Sequence, residues 1–363
     1  MIACLSPNGQ NRLTGNEAPT RLLVSTIRGV NVLERSGATW TDRGRTLDGH
    51  HISSIIIEPR RRGVFAGAHS GGLFFSANGG ETWERRMSGI TEEHVFSLGY
   101  AHEGDRIVLY AGTEPAALFR SEDYGASWTE LPGVRASKTD AWSFPGPPHL
   151  AHVKTMTIDP RDPRVIYAGV EQGDLLKTTD AGQTWRRLDE YSKPTDWTYR
   201  DIHLVTVHPE NSNEVYMTTG MGMYLSVDAG ETWKLIVDNT FAVGYPDHTI
   251  VSPRDGNTMF VAGAKANPGV WRKTHRADAT VMRSRDRARS WTDASTGLPE
   301  DRRANIEAMS VAAYPNGFTL FAGNTDGEVF ASDDEAEHWT RIAGGLAPVS
   351  KIHHYRNLQL QPA

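Results

Sequence analysis

The sequence predicts an all-β fold, a seven-bladed β-propeller of four-stranded blades, and three observations support this prediction. One short motif ending in tryptophan occurs seven times, at Trp40, Trp83, Trp128, Trp185, Trp233, Trp291 and Trp339. Successive tryptophans lie 43 to 58 residues apart, and a period of about 40–50 residues suits one four-stranded blade. Short β-branched and aromatic runs, bounded by Gly, Pro, Asp and Asn, fill each interval as strands would.

The motif itself predicts a tight turn between two strands. Its clear copies are SANGGETW (76–83), SEDYGASW (121–128), TTDAGQTW (178–185) and SVDAGETW (226–233). The Asp or Asn side chain accepts backbone N–H groups, the glycine adopts a positive φ, and the tryptophan packs beneath the turn. This pattern resembles the Asp-box, or BNR, repeat of sialidase-like β-propellers. Two later copies carry Ala288 and Ala336 in place of the glycine, which puts those turns in question.

Residues 51–88 illustrate one predicted blade, with an inner strand HISSIIIEP followed by VFAGA, LFFSA and TWERRM. Because the strands alternate in direction, the start of the inner strand, the second turn and the linker between blades share one face, here called the upper face. Residues 20–45 match only the three outer strands of a blade. We therefore expect 351–362 to supply the missing inner strand, so that residues 1–363 form one domain closed by both ends.

Composition narrows the functional classes. The formal net charge is −6 without a basic block, which argues against a nucleic-acid partner. The single cysteine, Cys4, fits a reducing compartment. Neither a secretory leader nor an apolar run of membrane-spanning length is recognisable in the sequence. We therefore expect a cytoplasmic protein that acts on a small molecule away from membranes, with a protein partner left open.

Histidines at the start of the inner strands predict a metal centre. In three blades a histidine stands eight residues before the proline that ends the strand, and a fourth aligns by pattern. Inner strands line the propeller axis, so these side chains should meet at the upper mouth of the channel. Imidazoles with nearby carboxylates suit a divalent transition metal such as Mn, Fe, Zn or Cu; a water-filled polar channel is the alternative. The predicted ligands are His51, His94, His152 and His354.

Other polar residues of the upper face complete the predicted site. Groups outside the metal shell that could move a proton are His203, His248, Asp201 and Glu307. Residues in or beside the upper turns that could bind a substrate are Arg28, His69, Glu114, Glu171, Arg200, Lys265 and Arg356. Long upper linkers carry aromatic residues such as Trp142, Phe144 and Trp271, which would either form pocket walls or pack on one another as a cap.

These residues suggest three functional hypotheses. The first is a metal-dependent hydrolase or lyase that acts on a small anionic or carbohydrate-like molecule at the upper mouth. The second is a metal-free glycoside hydrolase; sialidase activity is not expected, because the Arg-Ile-Pro motif of that family is missing. Its carboxylate pair would come from Glu114, Glu171, Asp201, Glu307 and Asp326. The third is a non-catalytic scaffold, similar to photosystem II assembly factors and sorting receptors built on the same repeat.

Overall fold

Seven sheets follow one another along the chain and confirm the seven-bladed β-propeller. They are seen in a computed structural model that describes residues 1–144, 148–188 and 200–351. Blades 2 to 7 each begin with an inner strand and proceed outward through antiparallel neighbours. Within the described ranges, neither helix is long and apolar enough to cross a membrane.

Two short strands precede the first complete hairpin, β1 (Ile2–Leu5) and β2 (Arg12–Thr14). The rest of blade 1 is β3 (Arg21–Thr26), β4 (Gly29–Ser36) and β5 (Thr39–Thr46). Blade 2 contains β6 (Ile52–Glu58), β7 (Gly63–Ala68), β8 (Gly72–Ser76) and β9 (Glu84–Arg85). Blade 3 contains β10 (His94–Glu103), β11 (Arg106–Glu114), β12 (Leu118–Ser121) and β13 (Thr129–Glu130), and a short helix α1 (Gly133–Ala136) follows it.

The second half of the chain repeats this order. Blade 4 contains β14 (His152–Ile158), β15 (Ile166–Glu171), β16 (Leu175–Thr178) and β17 (Arg186–Leu188). Blade 5 contains β18 (Ile202–His208), β19 (Asn211–Thr219), β20 (Gly222–Ser226) and β21 (Lys234–Asp238). Blade 6 contains β22 (Tyr245–Val251), β23 (Met259–Ala264), helix α2 (Pro268–Thr274), β24 (Thr280–Ser284) and β25 (Thr292–Asp293). Blade 7 contains β26 (Ile306–Tyr314), β27 (Gly317–Asn324), β28 (Val329–Ser332) and β29 (Thr340–Ala343).

The core lies between neighbouring blades, because each inner sheet is covered on both faces. All seven residues of β6 are buried, the polar Ser53, Ser54 and Glu58 included, so this strand does not alternate between buried and exposed positions. Ile56 and Phe65 of blade 2 pack in one cluster with Leu98, Leu109 and Phe119 of blade 3. Burying apolar surface at each such seam contributes about 25 cal/mol per Å², which holds the blades in sequence around the channel.

The repeated motif forms the predicted turn. In blade 5 the Ser226 hydroxyl donates to Asp228 at 2.7 Å, and Asp228 accepts the Thr232 backbone N–H at 2.9 Å. The Trp233 indole donates to the Gly230 carbonyl at 3.0 Å, so it closes the turn from below. These Asp side chains are therefore used by the backbone, as expected for a structural motif.

The two motif copies without glycine form the same turn. The Ala288 N–H binds the Ser284 hydroxyl at 2.9 Å, and the Ala336 N–H binds Ser332 at 2.9 Å. Ala288 and Ala336 have φ values of 61° and 59°, the left-handed region that glycine occupies in the other copies. The hydrogen bonds to the serine hydroxyls therefore hold an alanine in a conformation that L-residues disfavour by about 1–2 kcal/mol.

The N-terminus departs from the predicted blade 1. The innermost position of this sheet is held by β1, which pairs in parallel with β3. The chain then turns at residues 6–11 and returns down the channel as β2, a fifth strand beside β26. The sequence placed 351–362 at the inner position of blade 1; of that segment only Lys351 lies among the described residues. A strand of four residues with parallel pairing carries too short a pattern for the sequence to reveal it.

Candidate functional site

A β-bulge near the upper end of each inner strand in blades 2 to 7 shapes the channel mouth. In each strand the pairing register skips one residue. A bulge changes the direction of a side chain. The skipped residues, here called the bulge ring, are Ser53, Phe96, Lys154, His203, Asp247 and Glu307, and all six are buried.

One side of the bulge ring is acidic. His203 lies between two carboxylates, with Nε2 3.4 Å from Asp201 Oδ2 and Nδ1 3.8 Å from Asp247 Oδ1. The Asn305 amide donates to Asp247 at 2.8 Å and to Glu307 at 3.2 Å. The Tyr245 hydroxyl, which lies on the neighbouring blade, donates to Asp201 at 2.8 Å. Four carboxylate and imidazole groups therefore form one continuous chain of contacts.

Blade 4 contributes a second charged group. His152 lies between Glu171, 2.6 Å from its Nε2, and Glu114, 3.3 Å from its Nδ1. The Lys154 ammonium forms a buried ion pair with Glu171. Burial would lower the pKa of His152, but the hydrogen bonds to Glu114 and Glu171 outweigh it and raise the pKa. The positive charges of His152 and Lys154 therefore balance the negative charges of Glu114 and Glu171.

Residues 348–351, here called the strap, fill the centre of the mouth. The Ser350 hydroxyl and the Lys351 N–H each donate to Glu307 Oε2 at 3.0 Å. The Lys351 ammonium forms an ion pair with Asp247. The Ser350 and Lys351 carbonyls lie 2.8 Å and 2.6 Å from ring nitrogens of His51 and His69.

A row of ring contacts forms the opposite side of the mouth. The ring centroids of His51 and His69 are 4.1 Å apart, those of His69 and Phe96 4.0 Å, and those of Phe96 and His152 3.9 Å. Phe144, from an upper linker, closes the row at 5.1 Å from His152. His51 and His69 stack with their planes 23° apart, whereas the contacts with Phe96 and Phe144 are tilted or edge-on, at 31° to 62°.

Titration behaviour separates the carboxylates of the site. Burial, together with the nearby Asp247 charge, raises the pKa of Glu307 to about 7 despite the Lys351 ammonium. Burial alone would raise the pKa of Asp201, but His203 outweighs it and the pKa lies below its usual value. At neutral pH one carboxyl group therefore holds a proton part of the time while the other is ionised, the arrangement that acid–base chemistry uses.

Among the described residues, the predicted metal ligands His51, His94 and His152 do not belong to a group with the spacing of metal ligands. His51 contacts the strap, His152 is held by two glutamates, and His94 is half-buried at the start of β10. His354 lies outside the described residues. Among those described, the group with metal-like spacing is Glu171, Asp201 and His203, whose ligand atoms lie within 4.8 Å of one another. The Lys154 ammonium already forms an ion pair with Glu171, so a cation at this point would compete with it for that carboxylate.

The predicted substrate-binding residues divide into two groups. His69, Glu114 and Glu171 are buried at the channel mouth, where they contact the strap or His152. Arg28 is exposed, Lys265 donates to the Thr240 and Phe241 carbonyls, and the Arg200 guanidinium lies 3.7 Å from Asp174. Arg356 is outside the described residues. Asp326 was a candidate for the carboxylate pair. Its carboxylate forms an ion pair with the Arg303 guanidinium, with a distance of 2.7 Å between the two groups.

The aromatic linker residues act as a cap. Trp142, Phe144 and Trp271 are buried, and the Trp142 indole donates to Asp174. Of the two interpretations of the upper linkers, the structure therefore supports packing over the mouth instead of open pocket walls.

Sequence reasoning missed Lys154, Asp247, Asn305 and Lys351. It also placed Glu307 in register with His51, whereas Asn305 has that position and Glu307 aligns with Ser53. A charged residue within an otherwise β-branched strand, as in HVKTMTI and YPDHTIV, was the available indication. It was not recognised because the bulge that turns these residues inward has no marker in the sequence.

Comparisons with known proteins relate the chain to several β-propellers. A family model described as sortilin, neurotensin receptor 3, matches residues 116–269. A xyloglucanase from Paenibacillus is 23% identical over 292 residues, covering 72% of this chain and 27% of the relative. The xyloglucanase Xgh74A from Acetivibrio thermocellus is 24% identical over 351 residues, covering 85% of this chain and 40% of the relative. The chain thus spans less than half the length of these relatives.

Solved structures agree on the fold. An ancestral GH74 enzyme superposes with a TM-score of 0.62 at 18% identity, covering 81% of this chain and 38% of that one. YCF48 from Cyanidioschyzon merolae superposes with a TM-score of 0.51 at 14% identity, covering 81% of this chain and 86% of that one.

These comparisons correct two expectations. The curated relatives are xyloglucanases, so the metal-dependent hydrolase or lyase hypothesis is wrong, and the glycoside hydrolase alternative agrees better with them. The propeller relationship is supported through the sortilin model and the xyloglucanases, whereas the resemblance to sialidases receives no support from these matches.

Proposed function

We propose that this chain is the propeller of a glycoside hydrolase that cleaves a polysaccharide such as xyloglucan, with Glu307 as the general acid and Asp201 as the general base. The observation that carries the proposal is the alignment with xyloglucanase over 85% of the chain. The channel mouth supplies the carboxylates that such chemistry requires, and two carboxyl groups can hydrolyse a glycoside without a metal.

The opposed pKa shifts assign the roles. Glu307, whose pKa is raised to about 7, would give its proton to the glycosidic oxygen as the bond to the sugar breaks. Asp201, which stays ionised, would take a proton from the water that attacks the sugar carbon. His203 and the Tyr245 hydroxyl orient Asp201, so the base has a fixed direction.

The strap covers these groups in the structure. Glu307 is fully buried and Ser350 and Lys351 occupy two of its hydrogen bonds. A polysaccharide would therefore reach the carboxylates only after Ser350 and Lys351 leave the mouth. Replacing Lys351 with Gln removes the ion pair to Asp247 and should make this displacement easier.

A second candidate function, non-catalytic binding, is favoured by that same burial. The carboxylates and ammonium groups of the mouth neutralise one another, since Lys154 pairs with Glu171 and Lys351 with Asp247. A cluster of this kind can simply stabilise the channel of a scaffold that binds partners over an outer face.

Hydrolysis of xyloglucan by the full chain distinguishes the two candidates. Reducing ends should appear with the wild type and faster with Lys351→Gln. Glu307→Gln and Asp201→Asn should each lower the rate about 10²–10⁴-fold, whereas Asp326→Asn, at an exposed ion pair, should leave it unchanged. A chelator should have no effect. If neither the wild type nor Lys351→Gln releases reducing ends, the binding function is favoured.

A further inference from the structure

The lower half of the channel holds a second, separate cavity. Its volume is about 500 Å³, within the range of small-molecule sites. The second halves of the inner strands β10, β14, β18 and β22 line one side. Residues 8–12, which lead from β1 into β2 and are here called the N-terminal segment, line the other side. The charged cluster lies at the opposite, upper ends of these same strands, so the two sites are distinct.

The N-terminal segment, residues 8–12, is fixed in place by hydrogen bonds to the inner strands. Backbone N–H groups of Asn8 and Gln10 donate to the carbonyls of Ser53 and Ile55 at 3.0 Å each. The Gln10 amide donates to the Arg12 carbonyl at 2.8 Å and to the Tyr100 hydroxyl at 3.1 Å. The wall is therefore preorganised, which lowers the entropy lost on binding.

Arg12 supplies a positive charge to this wall. It is half-buried and lines the cavity, and among the described residues no hydrogen bond or ion pair reaches its guanidinium. Burial lowers the pKa of Arg12, and the exposed Glu210 offsets part of this lowering. A partly desolvated guanidinium without a partner costs free energy unless an anion joins it.

The two buried carboxylates near the cavity are already engaged. Glu58 accepts hydrogen bonds from His102 and Tyr124, and Asp159 accepts them from the Arg161 N–H and the Ser212 hydroxyl. They are therefore held by their own partners and leave Arg12 available for a ligand.

The Tyr100 hydroxyl adds a donor to the wall. The Tyr100 hydroxyl accepts the Gln10 amide, which leaves its own proton to donate, and burial raises its pKa to about 12, so it stays neutral. The remaining wall is largely apolar, with Leu98, Met156 and Leu204.

We propose that the lower cavity binds a small organic carboxylate, with the carboxylate on Arg12 and Tyr100 and the apolar body against the inner strands. Charge-assisted hydrogen bonds to a guanidinium hold such an anion, often at two oxygens. The apolar wall selects ligands with a hydrocarbon or aromatic body over small inorganic anions.

Calorimetric titration of the full chain tests this site. The probes are 4-phenylbutyrate, octanoate and benzoate, with 4-phenylbutyramide as the uncharged counterpart. At least one carboxylate should bind with one-to-one stoichiometry, more weakly at higher ionic strength, and the amide should bind at least about tenfold more weakly.

Variants on the same face provide the matched control. Arg12→Gln should weaken carboxylate binding about tenfold or more, Arg12→Lys should keep part of it, and Arg62→Gln, at an exposed arginine of a lower hairpin, should leave it within about twofold. Circular dichroism checks that each variant is folded. Absence of binding by all three carboxylates, equal binding of the amide, or an unchanged Arg12→Gln would overturn the proposal. None of these readouts depends on hydrolytic activity.

Discussion

The Lys351 ammonium and the Asp247 carboxylate form an ion pair in the centre of the channel, with side-chain exposures of only 4% and 2%. The two residues are 104 positions apart in the sequence. Asp247 stands on the bulge of β22, and Lys351 ends the strap that crosses the mouth. Two charges removed from water in this way depend on each other, because either one alone would be uncompensated.

Removing the ammonium should therefore destabilise the fold. We expect Lys351→Met to lower the free energy of unfolding by about 3–5 kcal/mol, since it leaves the Asp247 charge buried without its partner. The double variant Lys351→Met/Asp247→Asn should recover much of this loss. Guanidinium chloride unfolding measures both. Arg303→Met, at the exposed pair with Asp326, is the control and should change stability by less than about 1 kcal/mol. If Lys351→Met and Arg303→Met lost similar stability, the special dependence of the buried pair would be refuted.

His248 should make stability depend on pH in one window. Burial lowers its pKa to about 4, and its Nε2 lies 3.1 Å from the Glu307 carbonyl, which a neutral ring can satisfy as a donor. The unfolded chain binds the proton near pH 6.5, so it binds more protons than the folded chain between about 4 and 6.5. The contribution of the neutral His248 ring to the free energy of unfolding is therefore fully present above pH 6.5 and is lost as the pH falls toward about 4.

The change that tests this is His248→Gln. Denaturant unfolding at several pH values should show a smaller decrease in stability between pH 6.5 and 4 than in the wild type. His275→Gln, at an exposed histidine that ends α2, should keep the wild-type slope. An unchanged slope in His248→Gln would show that this ring titrates alike in both states.

The turn at Ala288 should be improved by glycine. Ala288 has a φ of 61°, which costs an L-residue about 1–2 kcal/mol. Glycine avoids this cost, but it loses more conformational entropy on folding, which cancels part of the gain. We expect Ala288→Gly to raise the free energy of unfolding by up to about 1 kcal/mol. Ala313→Gly, in the extended strand β26, should lower it by about 0.5–1 kcal/mol. A loss in both variants would contradict the strained turn.

The blades were predictable because one turn recurs with its own chemistry. The motif that ends in Trp233 specifies an Asp acceptor, left-handed residues and an indole donor within eight residues, and each copy marks one blade. By contrast β1 is a four-residue parallel strand. Its position depends on which neighbours lie at the axis, and no local pattern carries that information.

The site was predictable only in part. The sequence correctly pointed to polar inner-strand starts, and His152, Asp201 and Glu307 do lie at the channel mouth. Which of them face each other depends on the bulges, and a shift of two residues in blade 7 exchanged Asn305 for Glu307. Lys351 was missed because nothing near it in the sequence marks a contact with Asp247.

The role of Glu307 is the central claim about function, and its most direct test compares two leaving groups. The rates kcat/KM of the wild type and Glu307→Gln would be measured on the dinitrophenyl and phenyl glycosides of one β-glucan oligosaccharide, both in the Lys351→Gln background. A dinitrophenolate leaves without protonation, so we predict that Glu307→Gln keeps near-parental rates on the dinitrophenyl glycoside. On the phenyl glycoside it should lose about 10²–10⁴-fold. Equal losses on both substrates, or no loss on either, would contradict general acid catalysis by Glu307.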